Sequence, residues 1–203
     1  MVIQFLTSHW LDLLTTILGL AYILLEYRAS VWLWVVGFLM QSLGIVLYYQ
    51  KGLYADCGME FYYLVLTIYG FWNWVRKPSG GPEHAPRVLP VTHFPVRYAV
   101  IWFVVTLLIW CGIYGILVTF TDSNVPLADS FNTALSFVGI WALARKYLEQ
   151  WLIWIVVDVV TCALYIYKDI PFKAGLYGLY VIIAILGYRK WKKMMQLSDN
   201  ECS

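Results

Sequence analysis

Charge is scarce in this chain. Only 13% of its 203 residues are Asp, Glu, Lys or Arg, against about 25% in an average soluble domain. A net charge of +2 is too small to argue for a nucleic-acid partner. The four cysteines, Cys57, Cys111, Cys162 and Cys202, form no CxxC pair, and three of them lie in apolar stretches, so they read as small apolar filler. The first ten residues carry no Lys or Arg, which argues against a cleaved signal peptide. No Walker-type phosphate loop, HExxH or GxSxG occurs, and no span holds a His pair. ATP-driven pumping, haem or metal binding and intramembrane catalysis therefore lose support, and neither cofactor nor metal is expected. His9, His84 and His93 lie in or beside polar segments and read as solvated or interfacial.

Apolar and aromatic residues take the place of charge. Hydrophobic residues make up 62% of the chain and aromatics 18%, including 11 Trp and 16 Tyr. One soluble core of this size could not hide that much apolar surface, but a bilayer removes the need. Seven stretches are long enough to span, at roughly 9–28, 30–49, 55–75, 97–120, 126–146, 148–167 and 173–191. They lack the alternation of barrel strands, so they predict helices, whose backbones satisfy themselves in lipid. Segment 76–96 is rich in Pro and Gly and reads as a linker. Span five carries Asp129, Asn132, Thr133 and Ser136, so it is expected to face other helices.

The basic residues sort by side. Eleven, among them Arg28, Arg76, Arg97, Arg145 and Lys193, fall on one side, and three, Lys51, Lys168 and Lys173, on the other. The positive-inside rule then places the C-terminus in the cytoplasm and the N-terminus outside.

The chain also resembles itself. Residues 47–74 align without a gap on 164–191, an offset of 117, with Leu47, Tyr48, Lys51, Gly58, Tyr63, Ile68, Gly70 and Trp74 meeting identical residues. The same offset pairs Arg28 with Arg145 and Trp34 with Trp151. Within a single transmembrane domain, 1–203, this predicts a first three-helix repeat at 9–75, a linker and connecting helix at 76–125, and a second three-helix repeat at 126–193. The single intervening span makes the repeats parallel, and such repeats commonly place a substrate site where they meet.

Chemistry must then come from polar groups inside the spans, where a charge costs roughly 2.5–3.5 kcal/mol even on lenient scales. Asp158 lies near the middle of span six, and Glu60 lies about a turn and a half into span three. No Lys or Arg lies deep in any span. Each carboxyl is therefore either protonated and bonded between helices, or faces a wet cavity that accepts a cation. Trp151, Trp154, Asp158, Thr161 and Tyr165 fall on one helical stripe, as do Glu60, Tyr63, Thr67 and Trp74. Gln41 of span two is the counterpart of Asp158 at the repeat offset, and Tyr180 that of Tyr63. With Asn132 these residues form a candidate aromatic box for a flat cation. Trp32, Trp72 and Trp191 read as interfacial belt residues.

Two long runs, GLYADCGMEFYYLVLTIYGFWNW and DSFNTALSFVGIWALARKYLEQWLIWIVVDVVTCALYIYKDI, resemble the Pnu family of bacterial vitamin transporters. Its WxxW motif is matched by Trp151 and Trp154. The resemblance implies an all-α, SWEET-like three-plus-one-plus-three fold in the bacterial cytoplasmic membrane, commonly trimeric. It implies facilitated diffusion, with a cytoplasmic vitamin kinase trapping the product. Family members divide among nicotinamide riboside, thiamine, riboflavin and deoxynucleosides. Nicotinamide riboside carriers of the family place amide side chains where this chain has Glu60, Thr67 and Asp158. Carboxylates suit the thiazolium and aminopyrimidine of thiamine, so thiamine is the expected substrate and nicotinamide riboside the alternative. A non-transporting structural or receptor-like membrane protein is the reading outside transport. The charge asymmetry predicts that a reporter fused to the C-terminus is active in the cytoplasm; activity only in the periplasm would reverse the topology.

Overall fold

Hydrocarbon offers no hydrogen bonds, so a chain this apolar must satisfy its backbone internally. The structure, a computed structural model, does so with helices. It describes residues 17–50, 52, 54–76, 89–121, 125–167, 169 and 171–202, except the side chains of 55, 56, 172 and 199–202. Among the described residues there are seven α-helices. These are α1 (Ile17–Tyr27), α2 (Trp32–Gln50), α3 (Tyr54–Val75), α4 (Ala99–Phe120), α5 (Pro126–Ala144), α6 (Gln150–Tyr167) and α7 (Pro171–Cys202). A short 3₁₀ turn, Val96–Tyr98, leads into α4. Four helices are long and apolar enough to cross a membrane: Trp32–Gln50, Val96–Phe120, Pro126–Ala144 and Gln150–Tyr167. At about 1.5 Å per residue, their lengths match a hydrocarbon core about 30 Å thick. The predicted seven spans thus correspond to seven helices, except that α7 runs on to Cys202. Residues 9–16 of the first span, most of the linker, His9, His84, Lys51 and Lys168 lie outside the described residues.

Contacts divide the chain into two compact units, one up to Leu89 and one from Pro90. In the first, α2 packs on α3; in the second, α4 packs on α5, α5 on α6 and α6 on α7. The fourth helix, expected as a connector, is therefore a packed member of the second unit.

The turns are built alike at the offset of 117. After α1, Ala29 N–H donates to Glu26 O and Ser30 N–H to Leu25 O; after α5, Lys146 N–H donates to Leu143 O and Tyr147 N–H to Ala142 O. This is the Schellman pattern, which needs a left-handed residue. Ala29 (φ 51°) and Lys146 (φ 59°) supply it, and Gly52 (φ 71°) and Asp169 (φ 55°) do so after α2 and α6. Lys146 is buried, and burial pushes its ammonium down to about 8.

Each unit also holds a tryptophan seated on a glycine. The Trp34 ring of α2 lies over Gly70 of α3, and the Trp151 ring of α6 lies over Gly187 of α7. Trp34 meets Trp74 edge-on at 5.4 Å, and Trp151 meets Trp191 edge-on at 5.6 Å. Trp191 is wholly buried, which corrects its reading as a belt residue: its partner is an indole, not the membrane interface. Trp32 and Trp72 are exposed, as an interfacial position requires.

A Cβ at Gly70 or Gly187 would stand 2.4 or 2.6 Å from an indole carbon. Gly70→Ala and Gly187→Ala should each cost about 1–3 kcal/mol, the usual range for overpacking. Gly112→Ala, whose Cβ meets nothing within 4 Å, should melt like the wild type. Thermal unfolding in detergent checks this, and unchanged melting of Gly187→Ala would refute the packing.

Candidate substrate site

In the second unit the two motif tryptophans part company. Trp151 faces α7, where it packs on Gly187 and Trp191. Trp154, one turn on, faces α5, with its ring 3.3 Å from a Cβ built on Gly139. The predicted single stripe is thus shared between two helix contacts, because α6 packs on both α5 and α7.

Polar groups recur along α6, with Trp154 and Thr161 meeting α5 and Asp158 near tyrosines of α7. Gln150 begins the series, wholly buried, with neither amide atom hydrogen-bonded. The buried Trp154 indole N–H has no hydrogen-bond partner either. Asp158 comes next, 8% exposed. Among the described residues it has no ion pair and no hydrogen bond. Its charge reaches the phenols of Tyr177 and Tyr180 on α7. Thr161 closes the series. Its hydroxyl donates to Val157 O at 2.7 Å and accepts from the Asn132 amide of α5 at 2.7 Å. With the threonine proton committed to its own helix, the Asn132 NH₂ must point to Thr161. That leaves the buried Asn132 Oδ1 unsatisfied. Buried polar groups in proteins are normally paired, and exceptions need an explanation. Here two donors, two acceptors and a carboxyl lie along α6 and α5 with unfilled capacity, as ligand-binding groups would.

Tyrosines form the α7 wall. Tyr165 of α6 lies 5.4 Å from Tyr177, and Tyr177 lies 5.5 Å from Tyr180. Lys173 Nζ stands 5.2 Å from the Tyr165 ring.

The first unit holds the other candidates. The Glu60 carboxyl of α3 lies against Gly44 of α2, within 2.9 Å of a Cβ built there. Its charge acts on Tyr63, one turn on. Thr67 is buried, with its side chain against Gly37. Gln41 has a buried, unsatisfied Oε1. A mostly apolar cavity of about 320 Å³ lies on this α2–α3 face, with Trp34, Phe38 and Thr67 in its wall.

Sequence reasoning missed Gln150 and Tyr177. The repeat offset held the signal for both. Gln150 stands opposite Leu33, a polar residue where its counterpart is apolar, and Tyr177 stands opposite Glu60. His93, expected to be solvated, instead pairs with Glu149 at 2.7 Å while remaining largely exposed. Among the described residues no cluster of His, Cys, Asp or Glu could hold a metal ion.

The sequence profile described as "Nicotinamide mononucleotide transporter" matches residues 9–193. The chain belongs to the nicotinamide mononucleotide transporter family. Nicotinamide riboside transporter PnuC of Escherichia coli is 23% identical over 207 residues, covering 90% of this chain and 84% of the relative. Riboflavin/roseoflavin transporter RibM of Streptomyces davaonensis is 26% identical over 188 residues, with the same coverage. PnuC of Neisseria mucosa is 22% identical over 206 residues, covering 96% of this chain and 76% of the relative. A crystal structure of the vitamin B3 transporter PnuC superposes with a TM-score of 0.71 at 21% identity, over 96% of this chain and 86% of that one. This nicotinamide mononucleotide transporter family member therefore shares the all-helical fold of PnuC and is a multi-pass membrane protein. None of these relatives is named for thiamine, the substrate favoured from the carboxylates.

Thr161→Val removes the acceptor for a buried amide and leaves its N–H groups unsatisfied. It should lower unfolding stability by about 1–3 kcal/mol. An unchanged melting temperature would mean that the Asn132–Thr161 bond does not hold α5 to α6.

Proposed function

We propose that this protein carries nicotinamide riboside across the bacterial inner membrane by facilitated diffusion, without altering it chemically. Asp158 carries the reading: it is a buried carboxyl with no ion pair among the described residues, and Trp154 and Asn132 nearby on α6 and α5 keep free hydrogen-bonding capacity. Nicotinamide riboside supplies what these groups lack. Its ring is a flat cation, suited to an aromatic face and a carboxylate. Its carboxamide can donate to Asn132 Oδ1, and the Trp154 indole N–H, about two turns away, can donate to a ribose hydroxyl. Gln150 and Tyr180 are further contacts in this reading. Trp151 is assigned to packing, because its ring is occupied by Gly187 and Trp191. The relatives named for nicotinamide riboside support this substrate over thiamine. Charge alone does not separate the two, since both carry a ring cation. The relative named for riboflavin makes a neutral flavin the second reading, in which Asp158 would have no cation to meet.

The proposal includes a parallel three-plus-one-plus-three repeat, supported by turns and Trp–Gly seats that match at the offset of 117. Gln41, Glu60, Tyr63 and Thr67 are then the counterpart polar set of the first unit. An N-terminus outside and a C-terminus in the cytoplasm follow from the charge asymmetry. A homotrimer and a cytoplasmic kinase that traps the carried vitamin complete the reading.

Proteoliposomes containing the purified protein should take up labelled nicotinamide riboside saturably and only down its gradient. Asp158→Asn should retain the fold but slow this uptake, because the amide cannot answer the ring charge. Uptake of thiamine or riboflavin in its place would reverse the choice of substrate. No uptake of any of the three would favour a structural or receptor-like protein.

A further inference from the structure

α4 has no buried residue among those described; it meets α5 through the Trp102 and Trp141 rings, centroids 3.7 Å apart, but the two helices do not lie flush beside that contact. An open, almost wholly apolar groove of about 500 Å³ runs between them. Trp102, Thr106 and Trp110 form its α4 wall, and Phe131, Val138 and Trp141 its α5 wall. Its threonine hydroxyl is spent, since Thr106 donates to Trp102 O at 2.7 Å. The groove follows α4 from Ala99 to Trp110, about 17 Å at about 1.5 Å per residue. That is close to half of a hydrocarbon core of about 30 Å, the depth of one leaflet. Trp110 blocks the deep end. Its ring packs on Phe131 at 5.3 Å, and its N–H is tied to Ser130 Oγ at 3.1 Å.

The shallow end is basic. Arg97 sits just before α4, its guanidinium 4.8 Å from the Tyr98 ring. Arg145 caps the end of α5, its guanidinium 5.9 Å from the ring of the groove residue Trp141. The acidic group at this mouth, Glu149, is occupied. One oxygen meets His93 Nδ1 at 2.7 Å and the other accepts from Phe94 N–H at 2.8 Å.

We propose that this groove is a binding site for one anionic phospholipid of the leaflet at the Arg97–Arg145 end. One acyl chain follows the groove beside the Trp102–Trp141 pair as far as Trp110, and the headgroup phosphate meets Arg97 and Arg145. The length of the groove selects a single-leaflet tail, and the charge at its mouth selects an anionic head. Each guanidinium near a membrane surface contributes about fivefold in affinity for an anionic lipid.

The test is native mass spectrometry of the protein released from bilayers of equal phosphatidylglycerol and phosphatidylcholine. The wild type should retain phosphatidylglycerol in preference to phosphatidylcholine. The double variant Arg97→Gln/Arg145→Gln, changed only at exposed positions, should lose about fivefold of that preference per guanidinium removed. Val138→Trp, which fills the groove, should release both lipids. Lipid retention that follows the bulk composition, or that is unmoved by the arginine variants, would overturn the proposal. So would a Val138→Trp spectrum that loses copies of the chain and not lipid, since that outcome gives the groove to a second copy.

Discussion

The seating of an indole on a glycine fixes α6, and the candidate site follows from it. Without a Cβ at Gly187, the Trp151 ring seats against α7 and meets Trp191 edge-to-face. Lipid tails are as apolar as the side chains, so close van der Waals packing on small residues is what binds helices in a membrane. Once Trp151 is turned toward α7, helical geometry turns Trp154 toward α5 and leaves Asp158 near the α7 tyrosines. The same lock, Trp34 on Gly70 against Trp74, holds α2 to α3. Large and small residues trade places elsewhere at the same offset. Tyr22 of α1 abuts Gly37 of α2, whereas Gly139 of α5 abuts Trp154 of α6.

The helices were legible because lipid imposes length and apolarity on a span, and both can be read from one sequence. The offset of 117 was legible because Gly70, Trp74 and Trp34 reappear as Gly187, Trp191 and Trp151. The direction each ring faces was less so. A helical stripe groups Trp151 with Trp154, but a helix packed on two neighbours divides such a stripe, and periodicity does not tell which residue meets which neighbour. Trp191 was misread for a related reason. An indole near a helix end resembles a belt residue until a partner covers it. Docking of the linker on the α5–α6 turn, through Thr92 to Lys146 and Leu148 and through His93 to Glu149, rests on residues more than fifty positions apart and left no local trace.

Substrate choice turned on a weaker inference. A buried carboxyl argues for a cation, but two vitamins of the family carry one, so Asp158 could not decide between them. What does discriminate is the shape and hydrogen bonding of the rest of the ligand. A carboxamide with a ribose needs both a donor and an acceptor, and the free Trp154 N–H and Asn132 Oδ1 are one of each, set about two turns apart. If instead Asp158 were a protonated bridge between helices, these neighbours would be expected to satisfy one another, and they do not.

The central claim, that Asp158 answers a ring cation, is tested most directly by calorimetry with two ligands of nearly one shape. Nicotinamide riboside carries the positive ring, and its dihydro form does not. The wild type should bind the cation more tightly than the reduced form, and Asp158→Asn should shrink that preference to the about two- to thirtyfold that an aromatic face alone can supply. Equal affinities in the wild type, or a preference that Asp158→Asn leaves undiminished, would contradict it.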